Sequence, residues 1–137
     1  MTEAFVFDAW ALMAFLQGEQ PAARRLRELL LAEENACRLY ISVINLGEVY
    51  YRVGKTQGEK IAEEALAKLR LLPLEILPAD DKAVWSAARL KMRNRISYAD
   101  AFALTAAQDR HATLLTGDPE LTALKGQWKI ETLRRGE

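Results

Sequence analysis

The sequence contains few of the side chains that enzymes commonly use as nucleophiles or general bases. Its 137 residues include one cysteine, Cys37, and one histidine, His111. A single cysteine excludes an intrachain disulfide and is typical of a protein from a reducing compartment. No motif links Cys37 to His111. We therefore expect the cysteine to pack as a small residue rather than to act in catalysis.

Net charge and long apolar runs are absent as well. The 19 Lys and Arg residues balance the 19 Asp and Glu residues. Proteins that bind nucleic acid without regard to sequence are usually strongly basic, so bulk charge does not supply affinity here, although a local patch can still guide phosphates. No segment approaches the roughly 20 apolar residues of a membrane span, and no basic leader with a long apolar stretch opens the chain. These absences predict a soluble cytoplasmic protein with no membrane partner.

Hydrophobic residues make up 50% of the chain, and no Gly/Ser/Pro-rich linker divides it, so we expect a single domain over residues 1–137. Short apolar runs predict strands at 4–7, 39–42, 73–77, 112–116 and 129–133. Longer periodic segments predict helices at 9–16, 21–34, 43–53, 58–72, 81–94 and 97–110. The alternation of strands and helices predicts an α/β fold, a three-layer α/β/α sandwich with a mostly parallel central sheet.

Four acids are expected at one edge of this sheet. Asp8 directly follows the first strand, and Glu48 lies in the helix after the second. Asp100 is in the first turn of the helix that leads to the fourth strand, and Asp118 lies just past that strand. The carboxyl ends of parallel strands and the amino ends of the adjoining helices share an edge, where open α/β folds bind ligands. The four carboxylates are therefore predicted to converge there.

Three of these acids also have a purely structural interpretation. Asp8 is placed to cap the helix that follows it. Asp118 precedes Pro119, which is a common arrangement at the start of a helix. Ser97 and Asp100 have the spacing of a capping box.

Glu48 is harder to explain by structure alone. Its helix is apolar on nearly every face, which predicts burial, and a buried unpaired carboxylate costs several kcal/mol. A salt bridge with Arg52 is the structural alternative. A metal ion would satisfy all four acids at once. Oxygen ligands without His or Cys suit Mg²⁺ or Mn²⁺, which promote attack of water on phosphates.

Four segments carry a family resemblance: FVFDAWALMAFL, ISVINLGEVYY, ISYADAFALTAA and ATLLTGDPEL. They resemble the successive motifs of PIN-domain ribonucleases, in particular VapC-type toxins, and the likeness covers almost the whole chain. It implies an α/β/α sandwich and an endoribonuclease that depends on Mg²⁺ or Mn²⁺. It also implies an RNA substrate, a homodimer and a cognate antitoxin as partner.

The resemblance assigns site residues as well. The family's acids match Asp8, Glu48, Asp100 and Asp118, and the polar residue before the last acid matches Thr116. One position departs from the pattern. Many relatives have Ser or Thr two residues after the first acid, whereas this chain has Trp10. The resemblance therefore leaves open whether a hydroxyl group contacts Asp8.

Several functions remain as alternatives to a toxin nuclease. The same fold serves housekeeping RNA-processing enzymes, and a catalytically inactive binding module would follow if one acid pointed away from the others. A phospho-acceptor signalling domain requires an acidic pair near the first strand and a lysine after a late strand, whereas AFVFD has no acidic pair and LLTGD has no lysine.

Three further features concern surfaces. Arg93 and Arg95 lie just before the Asp100 helix and are candidates for contact with RNA phosphates, although cations also favour a helix C-terminus. Leu26, with Leu29 and Leu30, forms a helical stripe that either packs internally or meets a partner. Trp85 is expected in the core rather than as a platform for base stacking.

Overall fold

A five-stranded sheet forms the middle layer of the computed structural model, which describes residues 2–136. Its strands are β1 (Glu3–Phe7), β2 (Cys37–Ser42), β3 (Glu75–Leu77), β4 (Thr113–Thr116) and β5 (Ile130–Thr132). They lie in the order β3-β2-β1-β4-β5, and every pair is parallel. All five predicted strands are confirmed, with ends that differ by at most two residues.

Seven helices connect the strands within residues 2–136. They are α1 (Ala9–Leu16), α2 (Ala22–Leu30), α3 (Val43–Gln57), α4 (Glu59–Leu69), α5 (Asp81–Arg93), α6 (Tyr98–Asp109) and α7 (Pro119–Thr122). The short α7 was not predicted as a helix, because four residues carry no periodic pattern. The α3 helix runs four residues beyond its predicted end, to Gln57, and is capped by Gly58, whose φ of +94° favours glycine. In the described chain no helix has the length and hydropathy needed to cross a membrane.

Helices cover both faces of the sheet, so the predicted three-layer sandwich is confirmed. Alternate residues of each strand face opposite ways. Phe7 and Ile41 pack with α1 to α4, whereas Val6 and Leu114 pack with α5 and α6 on the other face. The strands are covered on both sides, and this explains their nearly continuous apolar sequences.

Two expectations about surfaces are decided by the packing. The Leu26 stripe is buried with Leu29 and Leu30 in the core under α1 to α4, so it packs internally. The prediction for Trp85 is wrong, because this side chain is 58% exposed. The α5 helix turns Ala87 inward, and a residue two positions away on a helix points to the opposite side.

The chain changes direction in the sheet at β1. It adds β2 and then β3 on one side of β1, and later adds β4 and β5 on the other. Phe7 pairs with Leu115 across the β1–β4 junction. The next residues, Asp8 and Thr116, therefore emerge side by side at the carboxyl edge. Such a switch point is where open α/β sheets bind ligands.

The packing of α2 predicts a large stability difference between two leucines. Leu26 is fully buried, whereas Leu31, the residue that caps the same helix, is 70% exposed. Leu26→Ala should lower the free energy of unfolding by about 2–5 kcal/mol, because it removes buried methyl groups and leaves a cavity. Leu31→Ala should change it by less than about 0.5 kcal/mol. Urea unfolding of both variants checks this, and equal losses would contradict the packing.

Candidate active site

Asp8 is the most deeply buried acid of the site. It caps α1, because its Oδ1 accepts the Ala11 N–H at 2.8 Å, and its Oδ2 accepts a hydrogen bond from the Thr116 hydroxyl. Burial raises the pKa of Asp8 to about 7. The hydrogen bonds from Thr116 and Ala11 oppose this rise, while the negative charges of Asp118 and Glu48 add to it. The charges of Asp118 and Glu48 are therefore close enough to act on Asp8.

Thr116 links the first acid to the last. Its fully buried hydroxyl donates to Asp8 and accepts the backbone N–H of Asp118 at 3.0 Å. The carboxylate of Asp118 in turn caps α7 by accepting the Glu120 N–H at 2.9 Å. The hydroxyl group that contacts Asp8 thus comes from β4 and not from position 10, where Trp10 replaces the usual Ser or Thr.

Asp100 faces Asp118 from the first turn of α6. Ser97 caps this helix, since its Oγ accepts the Asp100 N–H at 3.0 Å. Burial raises the pKa of Asp100 to about 8. The neighbouring carboxyl group of Asp118 and the charge of Asp8 contribute to this value, and the hydrogen bond with Ser97 opposes them. Carboxylate oxygens of Asp100 and Asp118 lie within 4.8 Å of each other, at the amino ends of α6 and α7.

The capping interpretations of Asp8, Ser97 and Asp118 are confirmed, whereas the convergence of all four predicted acids on one metal stays a prediction. Asp8, Ser97 and Asp118 all cap helices through side-chain oxygens. Each cap also fixes the position of a helix N-terminus at the same sheet edge. The helix N-termini carry partial positive charge, which partly stabilises the nearby carboxylates.

Glu120 joins the cluster, although the sequence analysis missed it. Carboxylate oxygens of Asp100, Asp118 and Glu120 all lie within 4.8 Å of one another. Glu120 is held there by α7, whose first residue is Pro119. The signal was present in the segment GDPEL: Asp-Pro predicts a helix start, and a helix starting there places residue 120 in its first turn.

Glu48 differs from its predicted environment. Its side chain is 21% exposed, and its Oε2 lies 3.4 Å from Arg52 Nη1, so the expected buried and unpaired carboxylate is wrong and the salt bridge is present. The reason is that α3 is amphipathic, with Tyr51 54% exposed. The charge of Glu48 nevertheless raises the pKa of Asp8. Its part in binding a metal stays a prediction.

Asn45 connects the helices that carry Glu48 and Asp100. It is fully buried, and its Nδ2 donates to the carbonyl oxygen of Ala99 at 3.0 Å. Its Oδ1 is a buried side-chain oxygen that lacks a hydrogen-bond partner among residues 2–136. The sequence analysis missed Asn45, because its contact depends on how α3 meets α6.

The donor set fits a hard divalent cation. The clustered groups are carboxylates, and burial together with their like charges raises the pKa of Asp8 and of Asp100. Oxygen ligands of this kind suit Mg²⁺ and Mn²⁺. The single cysteine and the single histidine lie apart from these carboxylates. Cys37 begins β2, and His111 lies just before β4, so both are at the opposite edge of the sheet.

The two candidate RNA contacts lie on the surface near α6. Arg93 is the last residue of α5, and Arg95 is in the turn before α6; both are exposed. Neither takes part in a salt bridge within the described part of the chain. Lys91 stabilises this turn, since its Nζ donates to the Ile96 carbonyl oxygen at 2.9 Å.

A family comparison agrees with this geometry. The PIN domain family model matches residues 5–127, a range that contains every acid described above. The chain belongs to the PIN domain family. A search of curated protein sequences gives no match.

Solved structures show the same PIN fold over nearly the whole chain. VapBC2 from Rickettsia felis, bound to a promoter DNA fragment, matches with a TM-score of 0.73 and 18% identity, over 96% of this chain and 99% of that one. VapBC-5 from Mycobacterium tuberculosis matches with a TM-score of 0.60 and 25% identity, over 96% and 98%. VapC20 from the same organism, a toxin that cleaves the sarcin-ricin loop, matches with a TM-score of 0.68 and 14% identity, over 87% and 93%.

The raised pKa values predict that the metal-free protein loses stability as the pH rises. Unfolded aspartates release their protons near the ordinary pKa of 3.8, whereas folded Asp8 and Asp100 keep theirs up to about pH 7 and 8. Between these limits the folded state binds more protons, so the free energy of unfolding falls with pH and stays lower above pH 8. Asp100→Asn should reduce this slope and be more stable than wild type at neutral pH by roughly 0.5–2 kcal/mol. Urea unfolding in EDTA from pH 5 to 8.5 measures both.

Magnesium and a matched variant complete this test. Millimolar Mg²⁺ should shrink the advantage of Asp100→Asn, because wild type gains binding energy that the variant largely lacks. Asp81→Asn removes an exposed acid from the first turn of α5, which lies outside the cluster. Its free energy of unfolding relative to wild type should therefore be the same in EDTA and in Mg²⁺. An Asp100→Asn variant that is less stable than wild type in EDTA and indifferent to Mg²⁺ would leave Asp100 with a structural role only.

Proposed function

We propose that this PIN domain is a metal-dependent endoribonuclease that hydrolyses RNA phosphodiester bonds as the toxin of a toxin–antitoxin pair. The observation that carries the proposal is the convergence of Asp8, Asp100, Asp118 and Glu120 at the switch point between β1 and β4. Acids from three separate parts of the chain, the end of β1 and the starts of α6 and α7, meet there at a cost to stability. That arrangement favours a catalytic site over an inactive binding module of the same fold.

Asp100, Asp118 and Glu120 would hold Mg²⁺ or Mn²⁺, with Asp8 and Glu48 beside them. When bound, the cation supplies positive charge for the phosphate and lowers the pKa of a coordinated water. Its ligands must be deprotonated, so binding releases protons from groups with raised pKa values. Cation affinity should therefore increase as the pH approaches 8.

The chain's own hydrogen bonds hold the carboxylates in place before any ligand arrives. Thr116 and Ala11 together satisfy both oxygens of Asp8. Ser97 fixes the first turn of α6, and Asp118 fixes the first turn of α7. Catalytic groups whose positions are set by such contacts need little reorganisation during the reaction.

Single-stranded or looped RNA fits this edge better than a duplex, because its phosphates are exposed and its bases can be splayed apart. Arg93 and Arg95 would contact the phosphates of the strand as it approaches α6. The VapBC assemblies that share the fold support an antitoxin partner, and VapC20 supports an RNA target. Self-association to a homodimer belongs to the same proposal.

The proposal predicts cleavage that depends on both the metal and the acids. Asp8→Asn and Asp100→Asn should each lower the cleavage rate of a single-stranded or hairpin RNA by about 100-fold or more, because several kcal/mol of transition-state stabilisation are lost. Glu120→Gln should also slow cleavage, since its carboxylate lies in the cluster. Gel assays with Mg²⁺, with Mn²⁺ and with EDTA measure these rates.

Asp81→Asn is the control for removal of a charge, and it should cleave at the wild-type rate. Wild-type activity that persists in excess chelator would refute the metal's role. Coexpression with the protein encoded by the neighbouring reading frame tests the antitoxin, which should suppress the toxicity of wild type. Asp100→Asn should not be toxic with or without it.

Arg93 and Arg95 are predicted to act on RNA binding rather than on chemistry. Arg93→Ala and Arg95→Ala should each raise KM several-fold at low salt and leave kcat near wild type. Each should also reduce the slope of log affinity against log salt by about 0.7, the value for one contact with a single-stranded phosphate. Arg70→Ala is the control, because Arg70 is an exposed cation at the end of α4. Variants with unchanged KM and salt slope but lower melting temperatures would assign these arginines to helix capping alone.

A further inference from the structure

Trp10 packs on the segment that carries Thr116 and Asp118. It is the second residue of α1 and lies two residues after Asp8. A Cβ atom added to Gly117 would lie less than 3.0 Å from three atoms of the Trp10 six-membered ring, Cζ2, Cε2 and Cη2. Real Cβ atoms essentially never approach other atoms this closely. The ring therefore leaves room for glycine at position 117 and for no larger residue.

The backbone of Gly117 does not itself call for glycine. Its φ lies outside the left-handed region that L side chains avoid, unlike that of Gly58 or Gly126. An alanine there would not meet the strain of a positive φ. The requirement for glycine therefore comes from the Trp10 ring.

The Trp10 ring is held by contacts besides the one with Gly117. The guanidinium carbon of Arg135 lies 5.2 Å from the ring centroid, within the range of a cation–π interaction. Arg135 also pairs with Glu19 at 3.3 Å. Ala22 donates its backbone N–H to Arg134 at 2.9 Å, which ties this C-terminal segment to the start of α2. A ring held in this way cannot swing aside freely to accommodate a larger residue at position 117.

We infer that Trp10 is a positioning residue, which holds the segment 116–118 and so sets Asp118 and Glu120 against Asp8 for cation binding. Gly117 lies between the residue that hydrogen-bonds Asp8 and the residue that caps α7. A small displacement of Gly117 therefore moves both Thr116, which donates to Asp8, and Asp118. This role deepens the proposed function. The effect expected on RNA cleavage rests on that function, whereas the effect expected on Mn²⁺ affinity does not.

A double-mutant cycle of Trp10 and Gly117 tests this role. Gly117→Ala should weaken Mn²⁺ binding about 10-fold or more, which is the usual effect of disturbing the residues that orient metal ligands. Trp10→Ser should weaken it as well, because the segment loses its support. In the Trp10→Ser background, Gly117→Ala should have an effect of less than about twofold, since the clash is gone. Calorimetry and electron paramagnetic resonance measure Mn²⁺ affinity on metal-stripped protein.

Two controls separate this role from simple packing. Gly47→Ala adds a methyl group next to Glu48 in the sequence, and beyond its chain neighbours and its own helix backbone no atom lies within 4 Å of it, so it should leave Mn²⁺ affinity unchanged. Trp10→Phe keeps an aromatic ring and should retain more Mn²⁺ affinity than Trp10→Ser. Circular dichroism and thermal melts show which variants are folded. If Trp10→Ser does not fold, the cycle is measured with Trp10→Phe instead.

The outcomes distinguish this inference from the proposed function. Equal effects of Gly117→Ala in both backgrounds would overturn the positioning role, as would lower melting temperatures with unchanged Mn²⁺ affinity. If wild type cleaves RNA but the double-mutant cycle shows no coupling between positions 10 and 117 in Mn²⁺ affinity, only the positioning role fails. If the cycle shows coupling in Mn²⁺ affinity but wild type cleaves no RNA, only the proposed function fails. Recovery of kcat in the double variant relative to Gly117→Ala would support both.

Discussion

The hydrogen bond from the Thr116 hydroxyl to the carboxylate of Asp8 is the contact on which the site depends. It joins residues 108 positions apart in the chain, and both partners are buried. It forms because β1 and β4 are neighbours, with Phe7 paired to Leu115 one step earlier. The same Thr116 oxygen accepts the N–H of Asp118, so one hydroxyl sets the positions of two acids. The sheet order at the switch point thus determines the geometry of the site.

The carboxylate cluster works against folding, and the rest of the domain compensates. Burial raises the pKa of Asp8 and Asp100, because each charge loses water and meets like charges. The helix caps and the partial positive charge of the helix N-termini offset part of the free energy that burying these carboxylates costs. The two apolar layers, one on each face of the sheet, supply the remainder. Locally unfavourable groups that are held by a stable scaffold are typical of functional sites.

Much of the fold was accessible from sequence because its signals are local. The apolar strands, the helical periodicity and the caps each depend on residues within a few positions of one another. All five strands and six of the seven described helices were predicted on this basis. Trp85 was misplaced because a single aromatic residue does not reveal which side of its helix faces the sheet. The short α7 was missed because it is too short to show a period, and with it Glu120.

The sequence by itself determined which acids follow which strands, and parallel strand order then required them to share an edge. It also determined the family, through four motifs in order, and the family model over residues 5–127 confirms this. Only the tertiary structure decided which side chains meet. It brought Glu120 into the cluster, paired Glu48 with Arg52, and placed the Trp10 ring on Gly117. The physical reason is distance: charge and steric interactions act over a few ångströms, and the separation between side chains on different elements is set by packing.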